Sequence, residues 1–392
     1  MADMKTTIIE SMYKGDETLK RIILLRAKGK DYTGFPEETN ETISKFHRNL
    51  KLKVEDSYMN TERSKTIKLV SVNGEKLPNF ESGQYINVFV NIDGVRTSRP
   101  YSISSPGCNG DYYEITVGRI PENGFVSDYL IDNLQKGDQI EANGPAGTFH
   151  FHPVFHKKDS VFIAGGSGIT PFMSMLREIM EKEQDRKVHL IYGVANTDNI
   201  IFREELEDMA KKHDNFKYDL VYSEPEEDWH GLKGFVTEEL LSQIVDNPGE
   251  KTFYLCGPDV MTQSVENSLK NLGIKKSMIR REMFSQNQNI HKQPGWPEGL
   301  DPETQFNITV NEGEKKKNII GKAGESILTA LERNGIRMNV CCRSGECSLC
   351  RIKLIGGDVY LASGILKRRA DEKFGYIHSC KAFPISDIEI LI

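Results

Sequence analysis

The sequence predicts a multidomain chain of three folded blocks in series. They are an antiparallel all-β block, an α/β block on a parallel sheet, and a small α+β block. Three observations carry this. At 392 residues the chain is long enough for two to four domains, each with its own core. The rhythm of the text changes from short alternating segments to strand–helix alternation near Lys158, and again after a Gln/Asn/Pro/Gly-rich stretch. Four of the seven cysteines fall within the ten residues "CCRSGECSLC", Cys341–Cys350.

Residues 1–50 are polar and helix-leaning, as in "ETLKRIILLRAKG", and show no chemistry. Residues 51–154 contain "SKTIKLVSVNGE", "QYINVFVNIDG" and "DYYEITVGRI", whose alternation and turn signals suggest an antiparallel barrel or sandwich. In residues 155–284 the apolar strands "SVFIAGG", "KVHLIYGV", "KYDLVYS" and "TFYLCGP" alternate with amphipathic helices such as "PFMSMLREIMEKE". That reads as a parallel sheet covered on both faces, with ligands beyond the carboxyl ends of its strands. Residues 285–303 read as a linker that lets the last block swing. Residues 304–392 open with a strand–turn–strand pair, followed by the helix "GESILTALERNG", with Ile327, Leu328 and Leu331 on one face and Gly335 as its cap.

The net charge of −6 is unevenly placed: residues 304–392 hold 14 basic and 10 acidic side chains, leaving −10 on residues 1–303. A basic last block on an acidic body suggests a charge-steered contact. No apolar run is long enough for a membrane helix, and the opening "MADMKTTIIESMYKGDE" has no signal or transit pattern. The expected compartment is the cytoplasm, where structural disulfides are rare.

The cysteine spacing then chooses among the remaining metal and thiol readings. Cys342 to Cys347 is C-x4-C, Cys347 to Cys350 is C-x2-C, and Cys380 follows after 29 intervening residues. A zinc site would expect paired C-x2-C units or histidines, and one such unit is present. The spacing is that of plant-type [2Fe–2S] clusters, so Cys342, Cys347, Cys350 and Cys380 are the expected ligands. Gly345 suits a loop that curls closely round inorganic sulfide. Cys341 is spare and is expected to pack inward. The stretches "CRSGECSLCRIKLIGGDVY" and "GYIHSCKAFPISDIEI" resemble a plant-type ferredoxin, which implies a β-grasp fold. Ferredoxins of that type are often acidic, and this block departs from them.

In "RPYSISSP", Arg99 can pair with a phosphate, Tyr101 can lie against an isoalloxazine ring, and Ser102 can reach a flavin ring nitrogen. "GQY" at Gly83–Tyr85 precedes this motif; "ITVGR", with Thr116 and Val117, and "GFVSDYL", with Gly124, Val126 and Ser127, follow it. The ordered set resembles the flavin domain of the ferredoxin–NADP reductase superfamily, which implies a β-barrel. The resemblance places the flavin pyrophosphate at the helix start of Gly124 and Ser127, favouring FAD over FMN, and a helix N-terminus suits an anion on physical grounds too. "AGGSGITPFMSM" carries Gly165, Gly166, Gly168, Ile169 and Thr170; with Pro171 where a third Gly or Ala would stand it does not fit the dinucleotide fingerprint. It resembles the pyridine-nucleotide loop of the same superfamily. "YLCGP" supplies Cys256, Gly257 and Pro258, and the resemblance puts Cys256 near the nicotinamide. "EMF" ends the block with Glu282 and Phe284, an acid and an aromatic expected near the flavin. After "DLVYS" the chain runs Glu224-Pro225-Glu226-Glu227-Asp228, four carboxylates that would repel a 2′-phosphate, so NADH is expected over NADPH.

Together the blocks are similar to the reductase components of multicomponent oxygenases and to the NADH reductases of hybrid-cluster proteins. The implied route runs from NADH through FAD and a [2Fe–2S] cluster, near about −400 mV, to a separate acceptor protein. Tyr101, Ser102 and Cys256 are the expected catalytic residues. Arg343 and Arg351 are expected on the exit surface, with Lys367, Arg368 and Arg369 as a rim for an acidic partner. Two other readings stay open: a self-contained NADH oxidase or small-acceptor reductase, and an electron-wiring subunit of a larger complex.

Overall fold

The computed structural model describes residues 49–392 except 108–109, 121–123, 284–288, 363–364 and 366–367. The expectations for residues 1–48, for Phe284 and for Lys367 lie outside the described residues.

Strands β1 (Asn49–Thr61), β2 (Ser64–Ser71), β3 (Tyr85–Ile92), β4 (Val95–Ser102), β5 (Tyr113–Gly118) and β6 (Gln139–Ala146) form one antiparallel sheet in the order β4-β3-β6-β1-β2-β5. Period-two alternation turns Leu52, Val54, Ile67, Leu69, Ile86, Val88, Ile115 and Val117 into a common core. The bridge between Ile103 and Ile115 joins the two edges, so the sheet closes on itself as a barrel. Helix α1 (Phe125–Asp132) follows β5 and buries Val126 and Leu130 in the same core.

The second sheet is wholly parallel. It contains β7 (Ser160–Gly165), β8 (Val188–Val194), β9 (Phe216–Tyr222), β10 (Leu232–Lys233), β11 (Thr252–Cys256) and β12 (Ile279–Glu282), in the order β10-β9-β8-β7-β11-β12. Its strands are apolar on both faces because both are covered. Phe162, Leu190 and Tyr254 pack beneath α2 (Thr170–Glu181) on one side. Val161, Ile163 and Leu255 join Val265 and Leu269 of the helix Asp259–Asn271 on the other.

The third sheet is mixed: its central strand Ile388–Leu391 lies between Arg351–Gly356 and β13 (Gln305–Glu312), runs parallel to β13, and β13 pairs on its other side with the edge strand Lys315–Lys322. The helix Ile327–Arg333 lies on it, capped by the Ser326 hydroxyl and ending before Gly335 at φ 73°. Ile327 and Leu331 fill the core with Ile308, Val310 and Ile390.

Residues 289–303 do not hang free. Trp296 packs edge-on against Tyr360 at 5.3 Å, Ile290 joins Phe383, and the Tyr360 hydroxyl donates to the Pro294 carbonyl at 2.9 Å. This segment belongs to the surface of the third block, which changes the expectation of a swinging tether.

Candidate functional site

Pairing of β3 with β4 sets Tyr85 opposite Ser102, Ile86 opposite Tyr101 and Val88 opposite Arg99. Ser102 is buried, and its hydroxyl has no hydrogen-bond partner among the described residues. A buried hydroxyl without a partner is costly, so this one fits a place where a bound group brings its own acceptor. Tyr101 packs against the barrel core, and burial pushes its phenol up. Arg99 donates to the Ser98 carbonyl at 2.7 Å and the Thr97 hydroxyl at 3.1 Å; burial, then the charge of Arg343, lowers it to about 10.

At the start of α1 the Ser127 hydroxyl donates to the Gly124 carbonyl at 2.9 Å, and no side chain caps the free amides. That leaves them available to a phosphate. Asp128 and Asp132, which the sequence reading did not single out, hold Arg119 beside this helix. The Thr116 hydroxyl is committed within the barrel, to Thr66 at 2.8 Å and Ser104 at 3.3 Å.

The turn Gly166–Ile169 leaves β7 and enters α2, with Pro171 in the first helical turn. It interlocks with "YLCGP": a Cβ on Gly168 would stand 2.2 Å from the Cys256 carbonyl oxygen. A Cβ on Gly118 would stand 2.9 Å from Ser167 Cβ, so the end of β5 abuts the same turn. Thus Gly118 at the end of β5, the turn at Ser167 and Gly168, and Cys256 come together. Cys256 is fully buried, and burial, then Glu282, pushes its thiol well up. Glu282 pairs with Cys256 across β11 and β12; burial, then Glu346 and Cys342, holds its carboxyl well above the usual range. Glu224, Glu227 and Asp228 are exposed beyond β9, while Glu226 accepts from the Thr197 amide at 3.2 Å.

The cysteine loop curls through positive φ at Arg343, Gly345 and Ser348. The amides of Ser344 and Cys347 donate to Cys342 Sγ at 3.4 and 3.3 Å. Cys380 is brought in by Ser379, whose amide (3.1 Å) and hydroxyl (2.8 Å) both donate to the Cys350 carbonyl. The thiols influence one another in two pairs, Cys342 with Cys347 and Cys350 with Cys380. In each pair the partner's hydrogen bond holds one thiol low, Cys342 at about 4 and Cys350 below its ordinary range. Among the described residues no three Cys, His, Asp or Glu donors surround one point. Four thiolates are what a binuclear centre takes, two per iron.

This loop is seated on the barrel. Asn87 and Asn143 donate to the Val340 carbonyl at 3.2 and 3.0 Å, and Thr97 donates to Glu332 at 2.9 Å. Arg343 pairs with Glu332 and donates to Ser98 at 3.2 Å. Cys341 is buried as expected and donates to the Tyr85 hydroxyl at 3.9 Å, its thiol pushed up to about 12 by burial. Arg343, expected on the exit surface, is 2% exposed. The correction has a plain cause: the barrel covers this side of the loop and supplies hydroxyls for the guanidinium. Arg351 is exposed and paired with Asp371 at 2.9 Å.

An oxidoreductase FAD-binding domain matches residues 51–151, an oxidoreductase NAD-binding domain residues 162–267, and a 2Fe-2S iron-sulfur cluster binding domain residues 310–384. The glycine betaine monooxygenase reductase subunit of Chromohalobacter salexigens is 28% identical over 324 residues, covering 79% of this chain and 87% of that protein. The flavohemoprotein of Bacillus subtilis is 34% identical over 263 residues, 65% of this chain and 60% of that one. The solved structure of phthalate dioxygenase reductase, a modular protein for electron transfer from pyridine nucleotides to [2Fe–2S], superposes with a TM-score of 0.64 at 24% identity. The match covers 88% of this chain and 97% of that structure, and it shows a shared fold. With the three domains in this order, the chain is a flavin reductase of the ferredoxin–NADP reductase superfamily that ends in a plant-type [2Fe–2S] ferredoxin domain.

Proposed function

We propose that the chain is an NADH-dependent reductase component that carries electrons through FAD and its [2Fe–2S] cluster to a separate oxygenase protein. One observation carries this reading: the cysteine loop is bonded to strands β3, β4 and β6 of the flavin barrel through Val340, Cys341 and Arg343. A self-contained oxidase would not need its cluster loop there. A bound flavin supplies the conversion of a two-electron hydride into single electrons. The chain's residues hold and shield the reactants. Ser102 would bind a flavin ring atom, the Tyr101 ring would pack against the isoalloxazine, and the amides from Gly124 to Ser127 would receive the pyrophosphate. The turn Gly165–Thr170 and Cys256–Pro258 would form the nicotinamide pocket, while Cys342, Cys347, Cys350 and Cys380 would ligate the two irons.

The acceptor docks on the open side of the cluster loop. Ile365 lies against Gly345 there, and with Arg368, Asp371 and His378 it lines a pocket. Arg368, Arg369 and Lys373 are exposed beside it, a rim suited to an acidic face. The free thiols and the reducing chemistry suit the cytoplasm.

An anaerobic NADH titration of the purified protein, followed by visible absorbance and low-temperature EPR, tests the route. The flavin should bleach, and a rhombic [2Fe–2S] signal should then grow and persist until an acceptor is added. A flavin that turns over beside an oxidised cluster would sink the reading. A captured acceptor should bind less tightly as salt rises.

A further inference from the structure

Val340 lies two residues before Cys342, and its carbonyl accepts from two barrel amides, Asn87 Nδ2 at 3.2 Å and Asn143 Nδ2 at 3.0 Å. The two asparagines sit on neighbouring strands, β3 and β6, at paired positions in the register. Asn87 is 0% exposed, and Oδ1 of both amides has no partner among the described residues. A buried amide with an idle oxygen carries a desolvation cost. Donation to Val340 is the side-chain hydrogen bond that each makes here, so it is what the buried amides contribute. Along β3, Asn87 faces Pro100, Ile86 faces Tyr101 and Tyr85 faces Ser102. The strand that presents the flavin motif is therefore one ladder away from the strand that grips the cysteine loop.

We propose that Asn87 and Asn143 are positioning residues for internal electron transfer. Held from two strands, the Val340 carbonyl sets the gap between the flavin strand β4 and the first cluster cysteine. This rests on the electron route proposed above. In the step one electron leaves the reduced flavin and enters the oxidised cluster, and the amides exchange neither electron nor proton. Two donors on one carbonyl fix direction as well as distance, because either bond alone leaves the loop free to pivot about it. Of the other contacts, Arg343 on Ser98 and Cys341 on Tyr85 lie on the cysteine side of that point, and Thr97 on Glu332 lies before it. Electron transfer slows as the gap between the two centres grows, so a loop free to move away from the flavin strand passes its electron more slowly.

The test is stopped-flow reduction by NADH of the Asn87→Leu/Asn143→Leu double variant, with hydrogen exchange over residues 338–343. Flavin bleaching should keep its wild-type rate, cluster reduction should slow severalfold, and exchange should quicken. If that variant does not retain its cofactors, Asn143→Asp removes one donor within nearly the same shape and should slow the second phase alone. Cluster reduction at the wild-type rate in a cofactor-loaded variant would overturn the positioning role, whether or not exchange quickens. A wild-type cluster that never accepts electrons would overturn the route and the positioning role together, and it is read before any variant is made.

Discussion

Gly168 shows how little room the nucleotide turn has. Its missing Cβ would fall 2.2 Å from one backbone atom of Cys256 and 2.5 Å from another, and backbone cannot swing aside like a side chain. Gly168→Ala should therefore force the two loops apart. Overpacking of this kind costs about 1–3 kcal/mol. Expressed at the nucleotide pocket, that weakens NADH by roughly fivefold to a hundredfold. Nucleotide binding measured by flavin-fluorescence titration should show the loss while FAD remains bound; wild-type NADH affinity would mean that the loops can separate freely. This residue was legible in the sequence, as were the cysteines, because a turn or cluster loop needs its residue types at short fixed spacing. Arg343 was not: a basic residue in a cluster loop reads as exposed until a second domain, more than two hundred residues earlier, is seen to cover it.

Helix α2 does more than start at the nucleotide turn. Its Arg177 reaches back to the barrel, donating to the Ser104 carbonyl at 2.9 Å and to Glu114 at 2.8 Å. It also holds Glu205 with two bonds of 2.7 Å. Ser174 on the same helix donates to the Ser105 carbonyl at 2.7 Å. The helix thus fixes the nicotinamide block on the flavin barrel, and nothing in its own text says so: "PFMSMLREIMEKE" reads as a helix, but its bonding partners lie 63 and 28 residues away. The helix was legible from periodicity; its role as a strut was not, since ion-pair partners at long range leave no local pattern. Arg177→Met would leave the largely buried Glu114 without its cation, while Glu205, 35% exposed, is partly screened by water, so the loss is about 1–3 kcal/mol. Urea unfolding followed by flavin release should shift accordingly, with Arg177→Lys falling between. A variant as stable as wild type would show that the carboxylates find water or each other's protons at little cost.

The three blocks were legible in order because each announces its own periodicity, whereas their assembly is written in scattered single residues. The charge asymmetry and the Pro/Gly-rich stretch together suggested a ferredoxin domain that swings on its tether. The contacts describe a seated domain instead, with Glu332 and Arg343 buried against Thr97 and Ser98 and residues 289–303 folded onto the domain itself. The two pictures differ in what sets the flavin-to-cluster rate. In a swinging shuttle the linker sets the effective concentration of one site at the other, which changes with its length. In a seated assembly the interface sets the distance and the linker contributes only closure entropy, about 0.6 kcal/mol for each doubling of its length. Inserting six to eight Gly and Ser residues after Met283 leaves both the interface and the packed segment around Ile290 and Trp296 in place. Cluster reduction by NADH, followed by stopped flow, should then stay within about threefold of wild type. A tenfold loss would mean that the tether places the ferredoxin domain, and that the bonds at Val340, Glu332 and Arg343 form only after it arrives.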